Sequence, residues 1–218
     1  MDYDETFSVK IIMVGSLNVG KSSLMAKYAT GITDKKVNSK NLSYVIKTKK
    51  VNWIKFQLKL WDTAGQEKFK SLTKLFTNEA KIAILIYSID NEESFNDLDE
   101  WLKLIKSSNE DSVIYGLCAN KSDLASANTI PDEKGIEYAK KIGAEWASTS
   151  AIINGKGIDK IVEILFIEYY QKYFNFRSAR DSLNSQNTLN RGFYQESKSK
   201  KGCCWRLANN NIDNNYKN

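Results

Sequence analysis

The chain has 218 residues, 42% apolar and 27% charged, with three cysteines and no histidine. That is enough chain for one sizeable core plus an appendage, and it excludes a disulfide framework and disfavours a zinc site or a histidine-based triad. The net charge of +6 is uneven: residues 1–174 carry 24 basic and 23 acidic side chains, residues 175–218 eight and three, which argues against nucleic acid as a partner of the folded part and for a membrane surface as a partner of the tail.

The acidic opening MDYDETFSVK has no apolar stretch of the kind a secretory signal carries. The longest apolar run, Ile82 to Tyr87, is six residues, against the ~20 that span a bilayer. A reducing, intracellular setting is expected. In chain order, SVKIIMVG (8–15) reads as a buried strand and KSSLMAKYA (21–29) as a helix. Residues 43–49 and 52–60 read as a hairpin, because Phe56, Leu58 and Leu60 alternate with Lys55, Gln57 and Lys59. IAILIYSI (82–89) and SVIYGLCAN (112–120) are two further buried strands, and Cys118 is a core residue within the second. Ser94–Lys106 reads as one helix, with Phe95, Leu98, Trp101, Leu102 and Ile105 on one face. Pro131–Ile142 is a second, with proline near its first turn, and Ala144–Ala147 a short last strand. Ile158, Ile161, Val162, Leu165, Phe166, Tyr169 and Tyr173 follow the 3.6-residue period of a terminal amphipathic helix. Strands alternating with helices imply an α/β fold, a mostly parallel sheet with helices on both faces, whose ligands sit at the carboxyl ends of strands. Residues 175–218, with ten asparagines and many Ser, Lys and Arg, read as a disordered tail.

Between the first strand and first helix lies GSLNVGKSS (15–23). Gly15-x4-Gly20-Lys21-Ser22 has the spacing of a phosphate cradle: glycines let backbone amides turn toward phosphate oxygens, and a helix start adds a positive dipole end. In that pattern Lys21 reaches the β- and γ-phosphates and Ser22 ligates Mg2+. Three polar segments follow other strands: DTAGQE (62–67), NKSD (120–123) and STSA (148–151). Each alone has the composition of a turn or cap; four together, in this order and at strand ends, point to one nucleotide.

With WDTAGQEKF (61–69), ANKSDL (119–124), STSA (148–151) and ESFNDLDEWL (93–102), residues 7–174 resemble the Ras-like small GTPases, and within them the Rab branch most closely. The resemblance implies a P-loop NTPase G-domain over residues 1–174, with a six-stranded sheet, and a GTP/GDP-dependent switch that hydrolyses GTP with Mg2+ and acts in vesicle traffic. Gly15, Asn18, Val19, Gly20, Lys21, Ser22 and Ser23 would wrap the phosphates. Asp123 would accept two hydrogen bonds from guanine, donors that adenine lacks, while Asn120 and Lys121 brace the base and Ser150, Ala151 and Ile152 line its edge, the Ala151 amide facing O6. Asp62 would hold Mg2+ through water, with Ser22 and Ser39 as its hydroxyl ligands. The Gly65 amide would sense the γ-phosphate, and Gln66 would place the attacking water beside Lys21. Tyr44, Trp61 and Phe76 match the aromatic trio shown to effectors. Exchange factor, activating protein and effectors would meet the switch segments of a monomer.

The departures from the family pattern carry expectations too. Leu17 stands where the family has a small residue beside the γ-phosphate, so slow hydrolysis is expected, with the rival reading of a non-hydrolysing, GTP-held binding module or scaffold. Residues 32–44, ITDKKVNSKNLSY, are the most divergent: Ser39 falls at the Mg2+-ligating threonine, with Ser43 the alternative if the frame has moved, Asn41 replaces a glycine, and Ile32 replaces the aromatic against guanine. Ile152 replaces the lysine that follows Ser-Ala. Looser binding is expected. A third reading, an adenine-nucleotide kinase, gives Asn120 and Asp123 no task. In KSKKGCCWRL (198–207), 14 residues follow Cys203-Cys204, so the pair is not a terminal prenylation signal as it stands. A trimmed and prenylated tail, palmitoylation of these cysteines beside the basic patch with Trp205 at the lipid interface, and an unlipidated tail remain open. A lipidated tail would place the chain on the cytosolic face of endomembranes.

Overall fold

The computed structural model describes residues 5–30, 44–62, 77–109, 113–126, 129–153 and 157–174. Among them one sheet holds β1 (Thr6–Val14), β2 (Tyr44–Val51), β3 (Ile54–Asp62), β4 (Ile82–Ser88), β5 (Ile114–Asn120) and β6 (Ala144–Ser148), in the order β2-β3-β1-β4-β5-β6. All neighbours are parallel except β2 and β3, which form the expected hairpin. The described helices are α1 (Lys21–Thr30), α2 (Glu92–Asn96), α3 (Leu98–Ser108), α4 (Asp132–Ile142) and α5 (Asp159–Tyr173).

The period of two in the strands sorts the core into two layers. Val9, Ile11 and Met13 of β1, Phe56, Leu58 and Leu60 of β3, and Ile82, Ile84 and Ile86 of β4 pack on one side with Leu24, Met25 and Tyr28 of α1 and Ile161, Leu165 and Phe166 of α5. Ile12, Val14, Ala83, Leu85 and Tyr87 pack on the other with Leu98, Leu102 and Ile105 of α3 and Ala139 of α4. Helices on both faces are therefore borne out. Gly116 is glycine because α5 lies close: a Cβ there would come 2.7 Å from Leu165 Cδ1. Cys118 is fully buried, and burial pushes its thiol up to about 12, so it stays protonated and inert at neutral pH.

The single helix expected over 94–106 is instead two. The first starts earlier, at Glu92, because the Asn91 side chain accepts from the Ser94 amide at 3.2 Å and the Ser94 hydroxyl donates to the Asn91 carbonyl at 2.6 Å. It stops at Asp97, and α3 begins at Leu98. Residue 174 ends the described residues, so the expected tail, residues 175–218, lies outside them.

β1 lies between β3 and β4, with the earlier strands on one side and the later ones on the other. The strand order reverses beside β1, and such a reversal opens a crevice at the carboxyl ends of the strands. The four polar segments all follow strands that end there.

Candidate functional site

β1 ends at Val14 and the chain turns through residues 15–20 into α1. Two positions of that turn admit only glycine. At Gly15 (φ 149°) a Cβ would lie 2.1 Å from the Ile86 carbonyl oxygen, and at Gly20 (φ 96°) one would lie 2.5 Å from Asn120 Nδ2. Asn18 adopts a left-handed φ of 62° between them, a conformation its short polar side chain tolerates. The loop curls around Lys21. The lysine is buried, and its Nζ donates to the carbonyls of Gly15 and Ser16, both at 2.8 Å. Val19 is buried beneath the loop, while Leu17 is 49% exposed at its tip. The first amides of an α-helix have no partner within it, so the loop and the start of α1 together have the make-up of an anion site.

Asn120, the last residue of β5, holds this loop from behind. Its Nδ2 donates to the Val19 carbonyl at 2.7 Å, and its Oδ1 accepts from the Thr149 hydroxyl at 3.2 Å. Lys121 follows in the left-handed region (φ 60°), with Nζ 3.5 Å from Asp90 Oδ1. The Asp90 carboxyl is held below its ordinary range, chiefly by the Ser88 hydroxyl that donates to it and then by Lys121. Asp123 sits in a short 3-10 turn (Ser122–Leu124) and accepts from the Ser150 hydroxyl at 2.5 Å. The same Ser150 oxygen accepts from the Ile152 and Ile153 amides at 3.0 and 3.1 Å. Ala151 is half-buried and Ile152 is exposed. The Asp123 carboxylate is thus fixed by the loop that follows β6.

Asp62 is the last residue of β3, buried and in register with Met13 on β1. Ser22 is the second residue of α1, directly after the phosphate loop and Lys21. A hydroxyl and a carboxylate are hard oxygen donors, and two such ligands supplemented by phosphate suit Mg2+, which rarely takes an all-protein cage. The donor set fits that ion. Ser23 lies on the exposed side of α1. Tyr44 and Trp61, opposite each other across the hairpin, stack at 4.8 Å between ring centroids. Tyr44 is exposed and Trp61 half-buried against the core, so the pair is part surface and part support. Ser39, Ser43, Gly65, Gln66 and Phe76, together with Ile32, Asn41, Cys203 and Cys204, lie outside the described residues.

Two contacts join the motifs in ways that their spacing does not show. The Ser16 hydroxyl donates to Asp97 Oδ2 at 2.5 Å, tying the phosphate loop to the junction of α2 and α3. Lys27, buried on α1, donates to the Ser150 carbonyl at 2.9 Å and to that of Ile153. Burial lowers the Lys27 pKa, against the pull of Asp159 and Asp123.

Gly20→Ala reports on the contact between the two loops. The added methyl meets Asn120 Nδ2, and φ of 96° strains any side chain. The expected outcome is a stability loss of about 1–3 kcal/mol, read by thermal unfolding, and weaker nucleotide binding, read by titration with a fluorescent guanine nucleotide.

The chain matches the Ras family model over residues 10–171. It is 30% identical over 192 residues to "Ras-related protein RabJ" of Dictyostelium discoideum, covering 85% of this chain and 75% of that protein. It is 36% identical over 151 residues to "Ras-related protein Rab-30" of Homo sapiens, covering 69% and 73%. To "Ras-related protein RABA2b" of Arabidopsis thaliana it is 25% identical over 209 residues, covering 94% and 97%.

Proposed function

Since the chain belongs to the Ras family of small GTPases, in its Rab branch, it is a GTP hydrolase that switches between GTP- and GDP-bound states in vesicle traffic, and we propose that its residues divide that work between a base end and a phosphate end. Asp123 reads the guanine N1 and N2 donors, and Ser150 keeps its carboxylate in place. Asn120 braces the phosphate loop through Val19, and Lys121 lies along the base. The Ala151 amide takes the guanine O6, with Ile152 at the rim. Gly15, Asn18, Val19, Gly20 and Ser23 shape the cradle, and Lys21 places its charge on the β- and γ-phosphates.

Ser22, Asp62 and Ser39 would hold Mg2+, which supplies neutralisation of phosphate charge when bound. In hydrolysis Gln66 orients a water for in-line attack on the γ-phosphorus, the bond to the β–γ bridging oxygen breaks, and inorganic phosphate leaves GDP behind. The Gly65 amide senses whether the γ-phosphate is present. Effectors, an exchange factor and an activating protein meet the switch segments and the Tyr44–Trp61 pair with Phe76, and the chain works as a monomer. The basic tail with Cys203 and Cys204 tethers it to the cytosolic face of a membrane.

The observation that carries this reading is that one hydrogen-bonded frame joins the phosphate loop, Asn120, Thr149, Ser150 and Asp123. That frame puts the phosphate loop and the Asp123 carboxylate on one support, which supports reading them as two ends of a single nucleotide site. Competition of GTP and ATP against a fluorescent guanine nucleotide, with magnesium present, tests it. Strong preference for GTP is expected; equal displacement by ATP overturns it.

A further inference from the structure

Asp97 occupies the N-cap position of α3, where an aspartate ordinarily accepts from an amide of the first turn. Its carboxylate makes no such bond. Oδ2 accepts instead from the Ser16 hydroxyl at 2.5 Å, 81 residues back along the chain. Both residues are half-buried, and a hydrogen bond to a charged group is about twice as strong as a neutral one. The anchor behind the carboxylate is firm. The Asp97 amide donates to the Glu93 carbonyl at 2.9 Å, its carbonyl accepts from the Glu100 and Trp101 amides at 3.0 and 3.2 Å, and Leu98 beside it is fully buried. Stability alone would be served by the cap that Asp97 forgoes.

Ser16 is held twice, by Asp97 through its hydroxyl and by Lys21 Nζ through its carbonyl, the latter at 2.8 Å. The lysine bond belongs to the phosphate cradle, and the aspartate bond reaches outside it. The next residue is Leu17, 49% exposed, and after it Asn18 is held at a left-handed φ of 62°. We propose, on the reading that Leu17 obstructs an arginine offered to the γ-phosphate, that Asp97 is a positioning residue for GTP hydrolysis: latched to Ser16, it keeps Leu17 in that path. Releasing the latch lets the Ser16–Leu17 peptide rock and the isobutyl group move aside. A bond of this kind biases a loop with two positions by on the order of tenfold or more. Asp97 acts through Ser16 and Leu17, not on the reacting atoms.

The test is single-turnover hydrolysis by the full chain, driven by an arginine-supplying activating domain that stimulates Leu17→Gly. Asp97→Ala and Ser16→Ala cut the latch from opposite ends. Each is expected to raise the saturating rate by on the order of tenfold, with the half-saturating concentration of activating domain little changed. Asp97→Asn keeps an acceptor without the charge, so its rate falls between those of Asp97→Ala and the parent. The two alanines together gain no more than either alone, because they remove one bond. In a Leu17→Gly background neither adds to the rate, since no side chain is left to move; a substitution that merely loosened the fold would act in both backgrounds. GDP binding and thermal unfolding check that each variant folds, and Ser16→Ala leaves α3 untouched, so the test does not depend on Asp97→Ala folding. Latch variants that hydrolyse at the parent's rate, while Leu17→Gly is faster, overturn the latch alone. So does a gain that persists undiminished in the Leu17→Gly background. A parent as fast as Leu17→Gly overturns the obstruction by Leu17, and the latch with it.

Discussion

Leu17→Gly is expected to speed GTP hydrolysis, most of all with a matched activating protein present. Leu17 is 49% exposed at the tip of the phosphate loop, so its side chain is not folded away into the core. Its neighbours keep it there: Ser16 is tied to Asp97 at 2.5 Å and Asn18 holds a left-handed φ of 62°. The loop therefore has little freedom to swing the isobutyl group aside. An arginine supplied by an activating protein is worth ~10³–10⁵ in rate, and it has to reach the γ-phosphate past this position. Removing the side chain should raise stimulated single-turnover phosphate release by on the order of 100-fold or more. Unstimulated hydrolysis should rise less, because water is small enough to pass. Nucleotide affinity should barely move, since Lys21 is gripped by the Gly15 and Ser16 carbonyls and not by Leu17. Equal stimulated rates in the two proteins would show that the loop yields on contact.

Asp123→Ala is expected to erase the preference for GTP over ATP. A carboxylate aimed at guanine rejects adenine because its lone pairs are left facing no donor, and a site built this way discriminates by ~10⁴-fold or more. Most of that factor should vanish with the carboxylate, read as the ratio of GTP to ATP needed to displace a fluorescent guanine nucleotide. Ser150→Ala supplies the graded control. Its hydroxyl fixes Asp123 at 2.5 Å, so its loss should weaken guanine selectivity by about tenfold and leave the charge in place. Retention of full selectivity in Asp123→Ala would move base recognition to another residue.

Much of this architecture is legible in the residues because local patterns report it. Alternation at Phe56, Leu58 and Leu60 reflects a strand with one buried face, and Gly15 and Gly20 occupy positions where backbone or amide leaves no room for a Cβ. What escapes a linear reading is held by partners far along the chain. Asp97 looks like one more acid on a helix surface, yet it accepts from Ser16, 81 residues away. Lys27 looks like a solvated lysine near a helix end, yet it is buried against carbonyls 123 and 126 residues later. The break at Asp97 is equally invisible, because the hydrophobic spacing runs through it and only the Asn91 cap shifts the first turn. Ser39 and Gln66, matched by their neighbours in the sequence, lie outside the described residues and stand on the resemblance alone.

Lys27 and Asn120 have a consequence for how the ligand leaves. One clamps α1 to the segment beyond β6, and the other clasps the phosphate loop from the end of β5. Loosening either contact is therefore expected to speed ligand release, and Lys27→Met checks it as faster loss of a bound fluorescent guanine nucleotide.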